Sequence, residues 1–183
     1  MSKFEKKFGK YAIPNLTLIL IMSYVAGYVI ELMGNAAGNN LLGFLTLDPY
    51  RILHGQIWRL VTWVIVPPDS LDIFTIIMLL FYYNLGTALE RTWGTYRYNV
   101  YIFSGMLSTI IGSLLCMAAV YLITGGIATE TASVIFYSGS YAFSTYYINL
   151  SIFLAFAATY PDMQVLLMFV IPVKVKWMGI LDA

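Results

Sequence analysis

Charge is what this chain has least of. Ten Lys and Arg and nine Asp and Glu make up 10% of its 183 residues, against 60% hydrophobic residues and a mean hydropathy of +0.78. A soluble domain carries roughly a quarter charged residues, so the composition excludes one and reads as a polytopic membrane protein. There is no basic patch with interleaved aromatics and no glycine-rich phosphate loop, which excludes nucleic acid as a partner and nucleotide chemistry of the phosphate-loop kind. The one cysteine, Cys116, excludes an internal disulfide and a cysteine-rich metal site. It falls mid-span and reads as a buried, inert thiol. No cofactor and no metal are expected. No charge lies deep within an apolar run, which argues against a proton relay, an ion-coupled transporter or a voltage sensor.

What is present is a series of apolar runs of bilayer length. A short basic arm, residues 1–10, holds Lys3, Lys6, Lys7 and Lys10. The run after it, 13–33, is too long for a signal peptide and lacks a small-residue cleavage site, so it reads as a retained helix with Pro14 in its first turn. Ser23 and Gly27, four apart, mark a packing face. Residues 34–70 are too broken to span and too apolar for a free loop, which predicts short helices lying in the membrane interface. Within them, Trp58 suits an interface and Arg59 has the donors to satisfy loop carbonyls. Pro67-Pro68 ends the segment, and Asp69-Ser70 offers N-cap chemistry to the next helix.

A second span is predicted over 71–89 and a third over 96–124, joined by a tight charged turn. Ser104, Ser108 and Gly112 form a small-residue seam suited to close helix approach. The fourth span, 141–161, contains no ionisable acid or base, yet Ser144, Thr145, Tyr146, Tyr147, Asn149 and Ser151 crowd its first half. Such groups need partners in hydrocarbon, which predicts a helix inside a bundle. After it, an apolar stretch and Lys174-Val175-Lys176-Trp177 read as the start of a fifth helix. The expected fold is thus an all-α membrane bundle of four complete transmembrane helices, an interfacial helical first loop and the beginning of a fifth helix, all in one domain, 1–183.

Basic residues orient it. The arm, Arg91, Arg97, Lys174 and Lys176 lie on one side, and only Arg51 and Arg59 on the other. The positive-inside rule then makes the amino terminus cytoplasmic and the Trp58-Arg59 loop external. The short arm and the lack of a eukaryotic sorting signal predict a bacterial cytoplasmic membrane.

The order of parts resembles the rhomboid superfamily over nearly the whole chain. The first loop carries Gly55-Gln56-Ile57-Trp58-Arg59-Leu60-Val61-Thr62, similar to that family's G-Q-x-W-R-L segment. The second span ends with Gly86, Leu89, Glu90, Gly94 and Arg97 at the family's spacing. Tyr101, Ser104 and Gly105, then Ala155-Phe156 with Tyr160-Pro161, then Ile171-Pro172 with Lys174, Lys176 and Trp177 continue the likeness in order. The resemblance implies two further helices to close the bundle, so the core is expected to be incomplete at the carboxy-terminal end.

It also implies a serine nucleophile at the start of helix four, a histidine on helix six, and a His and an Asn on helix two beside the oxyanion. Aligned without gaps, the nucleophile position carries Tyr146 and the helix-two positions carry Phe74 and Met78. A Ser-His mechanism needs a hydroxyl, a base within reach and donors aimed at the oxyanion. Phe and Met donate nothing. The single histidine, His54, reads as an interfacial side chain and not a general base. Ser144 and Ser151 are displaced from the expected position, and both read as hydroxyls bonded to helical carbonyls or across helices. Tyr146 and Asn149, three apart, are expected to share a polar interhelical contact, with substrate recognition as the alternative.

No catalytic residue is therefore expected, and the recognition residues are Trp58, Arg59, Gly86, Glu90, Gly94, Arg97, Tyr146 and Asn149. The favoured reading is a rhomboid-like pseudoprotease similar to derlins. That resemblance implies binding of transmembrane client proteins within the lipid bilayer for quality control or trafficking. The alternatives are an intramembrane serine protease and a structural subunit of a membrane complex.

Overall fold

The computed structural model describes residues 3–124, 135–136, 139–140, 142–161, 164–167 and 171–174. An amino-terminal helix α1 (Lys3–Phe8) and a 3-10 turn (Gly9–Tyr11) lead into α2 (Leu16–Ala36). The loop that follows holds a 3-10 turn (Leu42–Phe44), α3 (Pro49–Leu53), α4 (Arg59–Thr62) and a second 3-10 turn (Trp63–Ile65). Then come α5 (Ile73–Trp93), α6 (Thr95–Thr124) and α7 (Tyr146–Thr159). Three helical stretches, Gly9–Ala36, Ile73–Trp93 and Thr95–Leu122, are long and apolar enough to cross a membrane.

The predicted first span starts late. Pro14 lies outside α2, because Asn15 takes a left-handed conformation at the N-cap (φ 54°). Asp72, not Asp69 or Ser70, caps α5: its carboxylate accepts from Thr75 N at 2.6 Å, while Asp69 accepts from Ser70 N at 2.8 Å. The turn between α5 and α6 shrinks to Gly94 alone, whose φ of 86° a side chain rarely tolerates.

The fourth predicted span is shorter than its apolar run. Ser144 and Thr145 belong to the turn before α7, and the 14 residues of that helix rise about 21 Å, less than the ~30 Å hydrocarbon core. Beyond it the expected fifth helix is absent from the described residues. Gln164–Leu167 (β1) pairs antiparallel with Ile171–Lys174 (β2), Gln164 opposite Lys174 and Leu167 opposite Ile171. The β-branched residues Val165, Ile171 and Val173 suit that ladder. Trp177 lies outside the described residues.

The core gathers Leu16, Leu20, Tyr24 and Tyr28 of α2, Leu79, Leu85 and Leu89 of α5, Tyr98 and Ile102 of α6, and Ile148, Ile152, Phe153 and Phe156 of α7. Gly27 lets the loop touch α2, since a Cβ there would overlap Ile65 O and stand 2.8 Å from Pro67 Cδ. Ser23 on the same face donates to Leu20 O at 2.6 Å and reaches Val64 O at 3.3 Å. This is the packing face the sequence indicated. The α6 seam behaves otherwise: Ser104 and Ser108 are exposed, and nothing stands within 4 Å of a Cβ placed on Gly112. Cys116 is exposed as well, contrary to the expected buried thiol. Both departures have one cause, that an apolar run does not say which of its sides meets protein and which meets lipid.

Candidate functional site: the exposed face of α5 and α7

The loop over the bundle is held by its arginine. Arg59 is fully buried and donates through Nη1 to Gly43 O and Thr46 O, both at 2.9 Å, and to Thr46 Oγ1 at 3.2 Å. Its Nε donates to Gln56 Oε1 at 2.8 Å. A planar fork of donors thereby satisfies carbonyls that no helix ladder reaches. Asp48 caps α3, accepting from Arg51 N at 3.2 Å and pairing with Arg51 Nε at 3.3 Å. Trp58 stays half exposed at the rim, its indole N–H 3.4 Å from Phe44 O. Thr145 Oγ1 donates to Val66 O at 2.7 Å and ties the loop to the start of α7.

At the opposite end, the remaining motif residues form a base. Gly86 is the point where three helices meet, because a Cβ there would strike Thr17 and stand 2.7 Å from the Tyr98 hydroxyl. Thr17 Oγ1 and Tyr98 Oη share a hydrogen bond of 2.6 Å across that point. Glu90 Oε1 accepts from Asn15 N at 3.0 Å. Asn99 binds both backbone groups of Ile13 at 2.9 Å, and Arg97 meets Glu5 at 3.5 Å. These contacts explain Gly86, Glu90, Gly94 and Arg97 as architecture.

Between the two ends, α5 and α7 run side by side in the same direction. Thr92 Oγ1 hydrogen-bonds Tyr160 Oη near the base, and the Phe81 and Phe153 rings lie 6.3 Å apart further up. About two turns before those rings come Phe74 on α5 and Tyr146 on α7, on the same sides of their helices. Met78 stands one turn below Phe74. All three are exposed, Phe74 by 69%, Met78 by 47% and Tyr146 by 49%.

Tyr146 is half exposed and packs edge to face against its neighbour Tyr147, the ring centroids 5.7 Å apart. Asn149 faces inward and is buried. It stands with Thr145 beside the Tyr24 hydroxyl, and among the described residues Asn149 Nδ2, Tyr24 Oη and the buried Trp63 Nε1 meet no partner at full hydrogen-bond geometry. Trp63 also lines a cavity of about 180 Å³ with Thr46, Ser140 and Ser144. This buried polar junction had no signal in the sequence beyond the hydroxyls at the start of α7.

The serines are occupied locally. Ser144 Oγ accepts from Tyr146 N at 3.3 Å, and Ser151 Oγ donates to Ile148 O at 2.8 Å. His54 is exposed, with Nδ1 2.8 Å from Tyr50 O and its ring 4.2 Å from that of Tyr50. It lines a separate cavity with Met117, Tyr121 and Phe136. Neither serine has a histidine in hydrogen-bond contact among the described residues. No group of three or more His, Cys, Asp or Glu among them could hold a metal ion.

A family model described as eukaryotic integral membrane protein, DUF1751, matches residues 15–181. The chain belongs to that family. Its match covers α2, the loop, α5, α6 and α7. No curated protein and no solved structure matches the chain. Membership in a eukaryotic family overturns the bacterial cytoplasmic membrane expected from the short arm. That expectation failed because a missing sorting motif carries no information about the organism, whereas the integral membrane character stands.

Proposed function

We propose that this DUF1751 chain is a rhomboid-like scaffold without protease activity, which receives transmembrane segments of other proteins along the exposed face of α5 and α7. The observation that carries the reading is the exposure of Phe74, Met78 and Tyr146, the residues at the positions where the rhomboid resemblance calls for two donors and a nucleophile. Phe and Met side chains cannot stabilise an oxyanion, and among the described residues no base stands beside the Tyr146 phenol. The same surface suits helix binding, because association in lipid rests on van der Waals packing and a few hydrogen bonds. The short α7 supports it further. A helix of ~21 Å beside full-length spans favours a locally thinned bilayer, which eases the approach of clients with short or polar spans.

Two measurements test this. A photo-crosslinking residue at Met78, in membranes of a eukaryotic cell, is expected to capture transmembrane proteins that the same residue at the outward-facing Leu115 does not, and Tyr146→Ala should lower the yield severalfold. Equal capture at both positions refutes client binding on this face. A fluorophosphonate probe should leave the purified protein unlabelled; labelling lost on Ser144→Ala or Ser151→Ala would instead make it a hydrolase.

A further inference from the structure

His54 takes no part in the base, the arginine-held loop or the face of α5 and α7. It stands where α3 meets α6, on an apolar hollow of about 500 Å³ that Tyr50, Phe136, Met117, Ala118 and Tyr121 also line. That volume falls within the ~300–1,000 Å³ of pockets that enclose a small molecule. The depth of the hollow follows from α6. From Thr95 to Ala118 the helix rises about 35 Å, against ~30 Å of hydrocarbon, so the hollow sits at headgroup level on the side away from Gly94. Below it α6 is open to lipid, with Ile111 and Leu115 exposed.

Part of the lining is flat and already in place. Tyr50 stacks on His54 with centroids 4.2 Å apart and lies parallel to Phe136, the planes 4° apart at 6.4 Å, so these rings are ordered before anything binds. On α6, the short side chain of Ala118 leaves a smooth strip. No Lys, Arg, Asp or Glu lines the hollow. His54 Nδ1 donates to Tyr50 O at 2.8 Å, since a carbonyl only accepts, which leaves Nε2 an acceptor in the neutral ring. The Tyr121 hydroxyl, on an exposed side chain, supplies a donor. Neither group meets a hydrogen-bond partner among the described residues. A single hydroxyl, which donates once and accepts readily, suits this pair. We infer that the hollow binds a membrane sterol, its hydroxyl at His54 and Tyr121, its fused rings against Tyr50 and Ala118, and its tail running down α6 toward Ile111, about two turns below on the same side. A phospholipid is disfavoured, because its phosphate finds no Lys or Arg among the lining residues and its flexible chains have more freedom to lose on a flat wall. The family is a eukaryotic one, and sterol is a constituent of eukaryotic membranes.

The full chain in sterol-free phosphatidylcholine vesicles, given a trace of photoactivatable cholesterol, tests this. Adducts should map to α3 and to residues 117–122 of α6. Unlabelled cholesterol should compete them away about three- to tenfold better than its 3α-hydroxy epimer, the worth of one hydrogen bond. His54→Phe keeps a ring beside Tyr50 and removes the acceptor, so it should bring that ratio toward one while adducts persist. Ala118→Trp fills the hollow from an exposed position and should lower labelling severalfold with the melting temperature unchanged. Equal competition by the epimer, or labelling indifferent to Ala118→Trp, overturns the proposal. So does equally strong labelling of the same residues by a photoactivatable diacylglycerol or phospholipid.

Discussion

Removing the guanidinium of Arg59 is the sharpest test of how the loop is held. In Arg59→Ala, Gly43 O and Thr46 O lose their 2.9 Å donors in a place where the arginine itself is fully buried. Each hydrogen bond to a charged group is worth about 1.5–3 kcal/mol, and relief of the buried charge gives part of the sum back, leaving a net loss of about 3 kcal/mol. For a chain of this length that lowers the melting temperature by about 6–12 °C, read by scanning fluorimetry in detergent. Arg59→Lys should lose about half as much, since a compact ammonium reaches the two carbonyls but not Gln56 Oε1 as well. A melting temperature of Arg59→Ala within about 1 °C of the parent would refute the claim that this side chain fastens the loop.

The other predictions concern the base and the edge of the bundle. Gly86→Val should lower the melting temperature through about 1–3 kcal/mol of overpacking, because its side chain has to displace Thr17 from Tyr98. Gly105→Ala, where a Cβ meets nothing within 4 Å, should not. Asp72 is held below the usual carboxylate range, first by the Thr75 backbone N–H and then by the Thr75 side chain. A depressed folded value means that the cap supports α5 at neutral pH and fades as the pH falls through the folded pKa. Asp72→Asn should therefore flatten the acid limb of a melting-temperature profile below about pH 4; an unchanged limb would contradict the assignment.

Much of the frame was legible in the sequence for a plain reason. A bilayer demands long uncharged helices, so the spans of α5 and α6 stand out by hydropathy alone, and an arginine in a half-buried loop has few uses other than the carbonyls it binds. The face around Ser23 and Gly27 was legible because small residues at helical spacing admit a close neighbour. Which face of α6 would be covered was not legible, since its serines satisfy themselves, as Ser104 does on Tyr101 O at 2.8 Å. Asn149 was legible as a polar group facing another helix, but its neighbour there, Tyr24 of α2, was not, because spacing along one helix does not say which helix lies opposite. The β1–β2 pairing was missed because a short apolar run of β-branched residues fits a helix start and a strand equally well by hydropathy.

The junction at Gly94 joins its two helices through a single residue, and Asn99 and Glu90 fasten the same end to the chain ahead of α2 while the Thr17–Tyr98 pair fastens it to α2 itself. At the far end the loop is fastened instead, pressed on α2 at Gly27 and joined to the start of α7 through Thr145. Each end of the bundle thus has its own clasp, and a substitution that loosens the roof leaves the floor closed.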